Sequence, residues 1–259
     1  MTDKITNTQC ILIARPEGSE APAAHHFRYD TQTIDPAQLA DGEIIIKVDY
    51  ISIDPTYKIW MSGDSYVPAS PLDEPMRAFG LGKVIHSKRD GWEVGTWVTG
   101  VLGVQEYIVT DTTDPSRGYQ KVSEDVLDRI GGPESFLPVL GITGFPTAYS
   151  GLETVAGDME KEGKTLVVSG AAGNVGQWVV QLGKQLYGMK VVGIAGSTEK
   201  CDYLVNELGC DGAINYKSDD LAGAIREQCP DGVDLYFDNV GGNISDQVHF
   251  QMSTRLHLL

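Results

Sequence analysis

Residues 165–176 read Thr165-Leu166-Val167-Val168-Ser169-Gly170-Ala171-Ala172-Gly173-Asn174-Val175-Gly176. The first five residues form a short apolar, β-branched run of the kind a buried strand requires. Three glycines spaced by two residues follow, and residues 177–186 then carry Trp178, Val179, Leu182 and Leu186 at helical spacing. Glycine at a strand-to-helix junction permits a tight turn, close approach of backbone to a diphosphate, and close helix–strand packing. The N–H groups at the helix start then face an anion. The spacing differs from G-x-G-x-x-G, so its weight comes from its placement between strand and helix. The alternative is a structural turn that binds nothing.

The same rhythm continues downstream. Strand signals at 190–195, 212–216 and 233–238 alternate with helical signals at 200–208 and 220–228. Such alternation predicts βαβ crossovers and a parallel sheet, with about four strands legible before the chain ends. A helix is expected at 143–156. Before Pro138 the signals are of another kind. A β-branched run follows Gly42, and further strand-like runs lie at 81–86, 96–101 and 107–110, which predicts a barrel-like β domain. Pro55, Pro68, Pro71 and Pro75 mark an irregular segment between two of these strands, holding Tyr57, Trp60 and Tyr66. A connection longer than a hairpin needs is often functional. The expected division is residues 1–135 and 136–259.

Composition narrows the class. The 259 residues are 41% hydrophobic, enough for one or two cores. Lys and Arg number 20 against 36 Asp and Glu, a net charge of −16 that argues against a nucleic-acid partner. No apolar run reaches the ~18 residues of a membrane span, and the first residues lack the apolar core of a signal peptide. No membrane partner and a cytoplasmic location are the expectations. Cys10, Cys201, Cys210 and Cys229 form no CxxC pair and match no zinc spacing. The adjacent His25 and His26 would point apart on a strand, so no metal is expected.

The second strand of the alternating half bears on the nucleotide. An NAD site usually places an acid ~20 residues past the glycines, at that strand's end, to accept the ribose hydroxyls. Here that region reads Gly193-Ile194-Ala195-Gly196-Ser197-Thr198-Glu199-Lys200. The strand end is small, and Ser197 and Lys200 offer a hydroxyl and a cation to a 2′-phosphate. Glu199 could serve NAD, or both charges could sit on a solvated first turn. The reading favours NADP.

Several strings together carry a family resemblance: Ile51-Ser52-Ile53-Asp54-Pro55, Gly103-Val104-Gln105-Glu106-Tyr107, Gly141-Ile142-Thr143-Gly144-Phe145-Pro146-Thr147-Ala148-Tyr149, the glycine loop, Asn215-Tyr216-Lys217 and Phe237-Asp238-Asn239-Val240-Gly241-Gly242. In this order they resemble the medium-chain dehydrogenase/reductase superfamily. The nearest branch is the zinc-free one of prostaglandin reductases, alkenal double-bond reductases and curcumin reductases. The resemblance implies an α/β chain: a GroES-like β-rich domain, then a Rossmann domain with a doubly wound parallel sheet. It implies NADPH-dependent reduction of the C=C bond of an α,β-unsaturated ketone or aldehyde, with a quinone oxidoreductase or a non-catalytic nucleotide-binding relative as alternatives.

Carried over by position, the diphosphate loop falls on Gly173, Asn174, Val175 and Gly176. The 2′-phosphate partners fall on Lys200 and Tyr216, and a cofactor-side asparagine on Asn239. Relatives read Asp-Pro-Tyr-Met-Arg where this chain has Asp54-Pro55-Thr56-Tyr57-Lys58, so Tyr57 is the expected substrate-side residue, displaced by one. In extended chain such a shift reverses the facing. Relatives continue beyond this chain's end into further strands, a tyrosine proposed as hydrogen-bond donor, and edges that pair homodimers. No catalytic donor is assigned here, and the expected partner is a small enone or enal.

Overall fold

The computed structural model describes the backbone of residues 3–258 apart from Tyr66, Val155, Asp158 and Asp219, and side chains as far as Met252. Tyr66 of the proline-rich segment therefore lies outside the described residues. Two compact units divide the chain, Met1–Gly141 and Ile142–Leu259.

The first unit opens with β1 (Ile5–Leu12) and β2 (Phe27–Ile34), an antiparallel pair, followed by β3 (Ile44–Ile51). Helix α1 (Thr56–Ser62) and the two-residue β4 (Glu74–Pro75) occupy the proline-rich segment. Strands β5 (Phe79–Ser87), β6 (Trp97–Val101), β7 (Tyr107–Thr110) and β8 (Gln120–Val122) follow, then the short helices α2 (Glu124–Arg129) and α3 (Phe136–Leu140). The strands form two sheets, ordered β2-β1-β4 and β7-β3-β5-β6-β8. Ile44, Ile46, Val84, Val98 and Ile108 are buried in the larger one. The pairing of β3 with β5 shifts register between Ile45 and Ile46 and again between Val48 and Tyr50, irregularities that bend a strand and increase its twist. Phe136 of α3 packs with Leu81, Trp97 and Leu127, which ties α3 to this unit and puts the division after Gly141.

The second unit begins with α4 (Gly144–Thr154) and then alternates: β9 (Thr165–Ser169), α5 (Asn174–Gln181), β10 (Lys190–Ala195), α6 (Thr198–Asn206), β11 (Gly212–Asn215), α7 (Leu221–Gln228), β12 (Val233–Phe237), α8 (Gly242–His249) and β13 (Met252–Leu258). The sheet is wholly parallel, in the order β11-β10-β9-β12-β13. Among the described residues it has five strands rather than about four, because β13 pairs with β12. All five residues of β9 are buried, as a central strand covered on both faces demands. Ala148, Leu152, Val179, Val180 and Leu204 of α4, α5 and α6 cover one face, with Leu166 and Val168. Leu221, Ile225, Ile244 and Val248 of α7 and α8 cover the other, with Val167 and Tyr236. The chain winds outward from β9 through β10 to β11, then returns to place β12 on β9's opposite side. The order therefore reverses between β9 and β12, and in open α/β sheets ligands bind beyond the carboxyl ends of the strands at that point.

Candidate functional site

The glycine loop leaves β9 at this reversal. Gly170 has φ +57, the left-handed region where a side chain is strained. Its N-terminal neighbour Ser169 is fully buried. Gly173 is the N-cap of α5 and supplies no side-chain cap. The first intrahelical bond runs from Gln177 N–H to the Gly173 carbonyl at 3.0 Å. The N–H groups of Asn174, Val175 and Gly176 thus precede the first turn's acceptors, the condition that makes a helix start an anion site. A Cβ on Gly176 would stand 2.4 Å from the Gly170 carbonyl oxygen, so only glycine lets the helix start this close to the turn. The side chain of Asn174 is anchored on the residue before α4: its Nδ2 donates to Thr143 Oγ1 at 3.1 Å. Asn174 and the half-buried Val175 each offer an anion a backbone N–H.

Asn239 comes to the same place from β12. A Cβ on Gly170 would lie 3.4 Å from Asn239 Cβ. The Asn239 amide Nδ2 donates to the Ser169 carbonyl at 2.9 Å, and its backbone N–H to Ser169 Oγ at 2.8 Å. Asp238 locks this junction. Its Oδ1 accepts from Ser169 Oγ (2.8 Å), Tyr236 OH (2.9 Å), Val240 N–H (3.0 Å) and Gly241 N–H (2.9 Å). Burial alone would raise this carboxyl's pKa; the Gly241 and Val240 N–H groups and the Ser169 and Ser245 hydroxyls outweigh it and hold Asp238 well below the ordinary carboxylate range. Asp238 and Ser169 therefore fix where the glycine loop stands relative to Asn239. The sequence signal for both is a polar residue at the carboxyl end of a strand.

On the other side of β9, Tyr216 follows β11 and donates its backbone N–H to the Ala195 carbonyl at 3.1 Å. A Cβ on Gly196 would lie 3.2 Å from Tyr216 OH, so the phenol stands over the end of β10. Ser197 caps α6, its hydroxyl oxygen accepting from Lys200 N–H at 3.3 Å. Glu199 and Lys200 are both exposed on that helix's first turn. Lys217 Nζ lies 5.9 Å from the centre of the Tyr216 ring and adds a second cation that sequence reasoning did not single out. Gly173, Asn174, Val175, Gly176 and Asn239 thus meet at the reversal, while Lys200 and Tyr216 flank the adjoining strand end.

Tyr57 lies in the first unit, in α1, stacked on Trp60 at 5.0 Å between ring centres. Because it is helical rather than extended, an alternating-facing argument does not apply to it. Tyr57 OH donates to the Ser52 carbonyl and accepts from Phe79 N–H at 3.0 Å, and burial pushes its pKa up. The hydroxyl is used within the fold, and the ring lines an apolar pocket of ≈ 470 Å³ with Phe27, Ile53, Pro55, Met61 and Met76. Arg15 braces the same segment by donating to the carbonyls of Met61 (2.7 Å) and Ser70 (2.9 Å).

Comparison with known proteins decides the lineage. Residues 8–117 match the family "N-terminal domain of oxidoreductase" and residues 174–255 the family "Zinc-binding dehydrogenase". The NADPH-dependent curcumin reductase of Escherichia coli is 36% identical over 246 residues, covering 95% of this chain and 67% of that protein. The 2-alkenal reductase (NADP(+)-dependent) of Nicotiana tabacum is 35% identical, covering 97% and 71%. The crystal structure of CurA in complex with NADPH from Vibrio vulnificus superposes with a TM-score of 0.82 at 36% identity, covering 97% of this chain and 70% of that one. The chain belongs to the zinc-free branch of the medium-chain dehydrogenase/reductase superfamily. It spans about two thirds of the length of the curated relatives it matches.

For a member of this superfamily the two units correspond to a GroES-like and a Rossmann domain. Among the described residues no helix is long and apolar enough to cross a membrane. One expectation needs correction. His25 and His26 are not on a strand but in the short 3-10 turn Ala24–His26, with ring centres 4.0 Å apart. They face a common carboxylate, Glu20, so the alternate facing of a strand does not separate them.

Proposed function

We propose that the protein reduces the carbon–carbon double bond of α,β-unsaturated ketones or aldehydes with NADPH. The observation that carries this reading is the glycine turn at the sheet's reversal point, with Lys200, Tyr216 and Lys217 gathered near the next strand's end. A diphosphate fits the loop because the first N–H groups of α5 have no partner within the helix, and because the α5 start is bare of side-chain caps. A 2′-phosphate fits an ammonium and a phenol better than the carboxylate a ribose 2′-hydroxyl calls for. Glu199 is the one acid on that turn, and it is exposed.

When bound, NADPH supplies the hydride for the β-carbon. The chain's own task is to hold the cofactor, exclude water and seat an apolar substrate. Asn174, Val175 and Gly176 N–H groups hold the diphosphate. Lys200 and Tyr216 select the phosphorylated ribose. Asp238 and Ser169, through Asn239, keep the loop in place. The first unit's apolar pocket, with the Tyr57 ring in its wall, suits the hydrocarbon part of an enone. The names of the curcumin and 2-alkenal reductases support the same reaction class.

The test is NADPH consumption followed by absorbance with a simple enal, a conjugated enone and a quinone offered in parallel to the purified chain. Saturated carbonyl product from the enal or enone, identified by mass, is expected. Consumption with the quinone alone would replace this reading by the quinone oxidoreductase one. NADPH binding without turnover on any acceptor would replace it by nucleotide binding alone.

A further inference from the structure

The loop between β1 and β2 carries Glu20, His25 and His26 side by side. His25 Nε2 lies 3.1 Å from Glu20 Oε1, and His26 Nε2 lies 3.5 Å from Glu20 Oε2. One ligand atom from each residue falls within 4.8 Å of the others. Zinc bonds of about 2.0–2.2 Å place tetrahedral ligand atoms roughly 3.3–3.6 Å apart, so both Glu20–His distances already stand near the spacing a divalent ion imposes.

Two further features distinguish this set from a chance surface ion pair. His26 is buried, with 1% of its side chain exposed, while His25 and Glu20 remain 65% and 39% exposed. The buried ring is oriented from behind: its Nδ1 lies 3.1 Å from the Ala23 carbonyl oxygen. An Nδ1–H donating to a backbone carbonyl leaves the Nε2 lone pair free, the usual support behind a metal-bound imidazole. Nδ1 is also 3.0 Å from Ala23 N–H, so the ring has two tautomers available and a metal would select the first. Glu20 is held too, its Oε2 accepting from Glu17 N–H at 3.1 Å. Two imidazoles and a carboxylate suit a borderline ion such as Zn²⁺, with solvent completing the shell.

The ligands also bracket a functional wall. Pro22 lies between Glu20 and His25, and Phe27 follows His26; both line the apolar pocket that contains Tyr57. We propose that Glu20, His25 and His26 form a divalent transition-metal site whose occupation pins the 20–26 loop and stiffens that wall. The site goes beyond the hydride-transfer reading and does not depend on it.

The experiment titrates ZnCl₂ into the untagged, reduced full chain by calorimetry, beside His25→Ala and Glu20→Gln. Both substituted side chains are partly exposed, so the fold is kept, which melting in the absence of metal verifies; His26 is left intact because it is buried. Wild type is expected to bind one Zn²⁺ that each variant loses or binds at least tenfold more weakly. Amide exchange over residues 20–26 is expected to slow with Zn²⁺ in wild type alone. Equal stoichiometry and affinity in all three proteins would place the metal on the thiols or elsewhere and overturn the proposal. Absence of binding would reduce the cluster to an ion pair, and binding without slowed exchange would overturn the stiffening of the wall.

Discussion

Asp238→Ala should loosen the second unit from its central strand outward. Four donors converge on Asp238 Oδ1. Two of them, Ser169 Oγ and Tyr236 OH, belong to residues that are fully buried and cannot turn to water. A hydrogen bond to a charged acceptor contributes about 1.5–3 kcal/mol; taking the low end for each buried hydroxyl gives about 3 kcal/mol. The Val240 and Gly241 N–H groups lie at the surface side of the turn and rehydrate, adding little. At RT of about 0.59 kcal/mol, a loss of about 3 kcal/mol raises the open fraction roughly 150-fold. Native-state hydrogen exchange of β9 and β12 amides reads this directly, with β5 amides of the first unit as the internal control. The pH dependence follows from the depressed carboxyl. Its folded pKa lies below the unfolded value of about 3.9, so the contribution is full above pH ~4 and is lost as pH falls through the folded pKa. The difference between wild type and variant should therefore shrink on acidification. A change below about threefold at neutral pH would refute the role given to Asp238.

Gly173→Val adds a Cβ 3.1 Å from the Gly170 carbonyl oxygen and methyls in front of the α5 start; NADPH and NADH should both lose binding in a fluorescence titration, and unchanged affinity would remove the loop from the site. Tyr57→Phe deletes a hydroxyl bonded to Ser52 and Phe79, so it should cost about 1–2 kcal/mol in denaturant unfolding while leaving enone KM within about twofold; a tenfold rise in KM would make the phenol a substrate ligand. Burial pushes the Cys210 thiol up to about 12 and the Cys229 thiol to about 11, so at pH 8 both stay protonated and slow to alkylate. Mass spectrometry should find the half-buried Cys10 and Cys201 labelled first, and early labelling of Cys210 would contradict this.

The second unit was legible because its physics is local. Buried parallel strands read as apolar runs and the helices between them keep a 3.6 period, so β9, α5 and β10 appear in the sequence nearly as they stand. The first unit was harder. In β1 the inward positions include Asn7 and Gln9, both buried, which hides the alternation that marks a strand. They are there because Tyr107 N–H donates to Asn7 Oδ1 at 2.9 Å and Gln9 Nε2 donates to Gln105 Oε1 at 2.7 Å, partners about a hundred residues away that no local pattern reveals. In β2 only the end residues are even half-buried, so it too lacked a pattern. Helix α1 was lost among prolines. At seven residues it is too short to show a period, and Pro55 precedes it where a proline is tolerated. The glycine loop, Lys200, Tyr216 and Asn239 were visible as residues in a motif. That Asp238 joins two strand ends, and that the Tyr57 hydroxyl is already used, required coordinates.

Selection of the 2′-phosphate by the nucleotide site can be read from paired titration of the chain with NADPH and NADH, with Lys200→Ala alongside. NADPH is expected to bind at least tenfold more tightly, as one lost charge-assisted contact of about 1.5–3 kcal/mol implies, and Lys200→Ala to remove most of the difference while leaving NADH unchanged. Equal affinities for the two nucleotides, or equal losses in the variant, would contradict that selection.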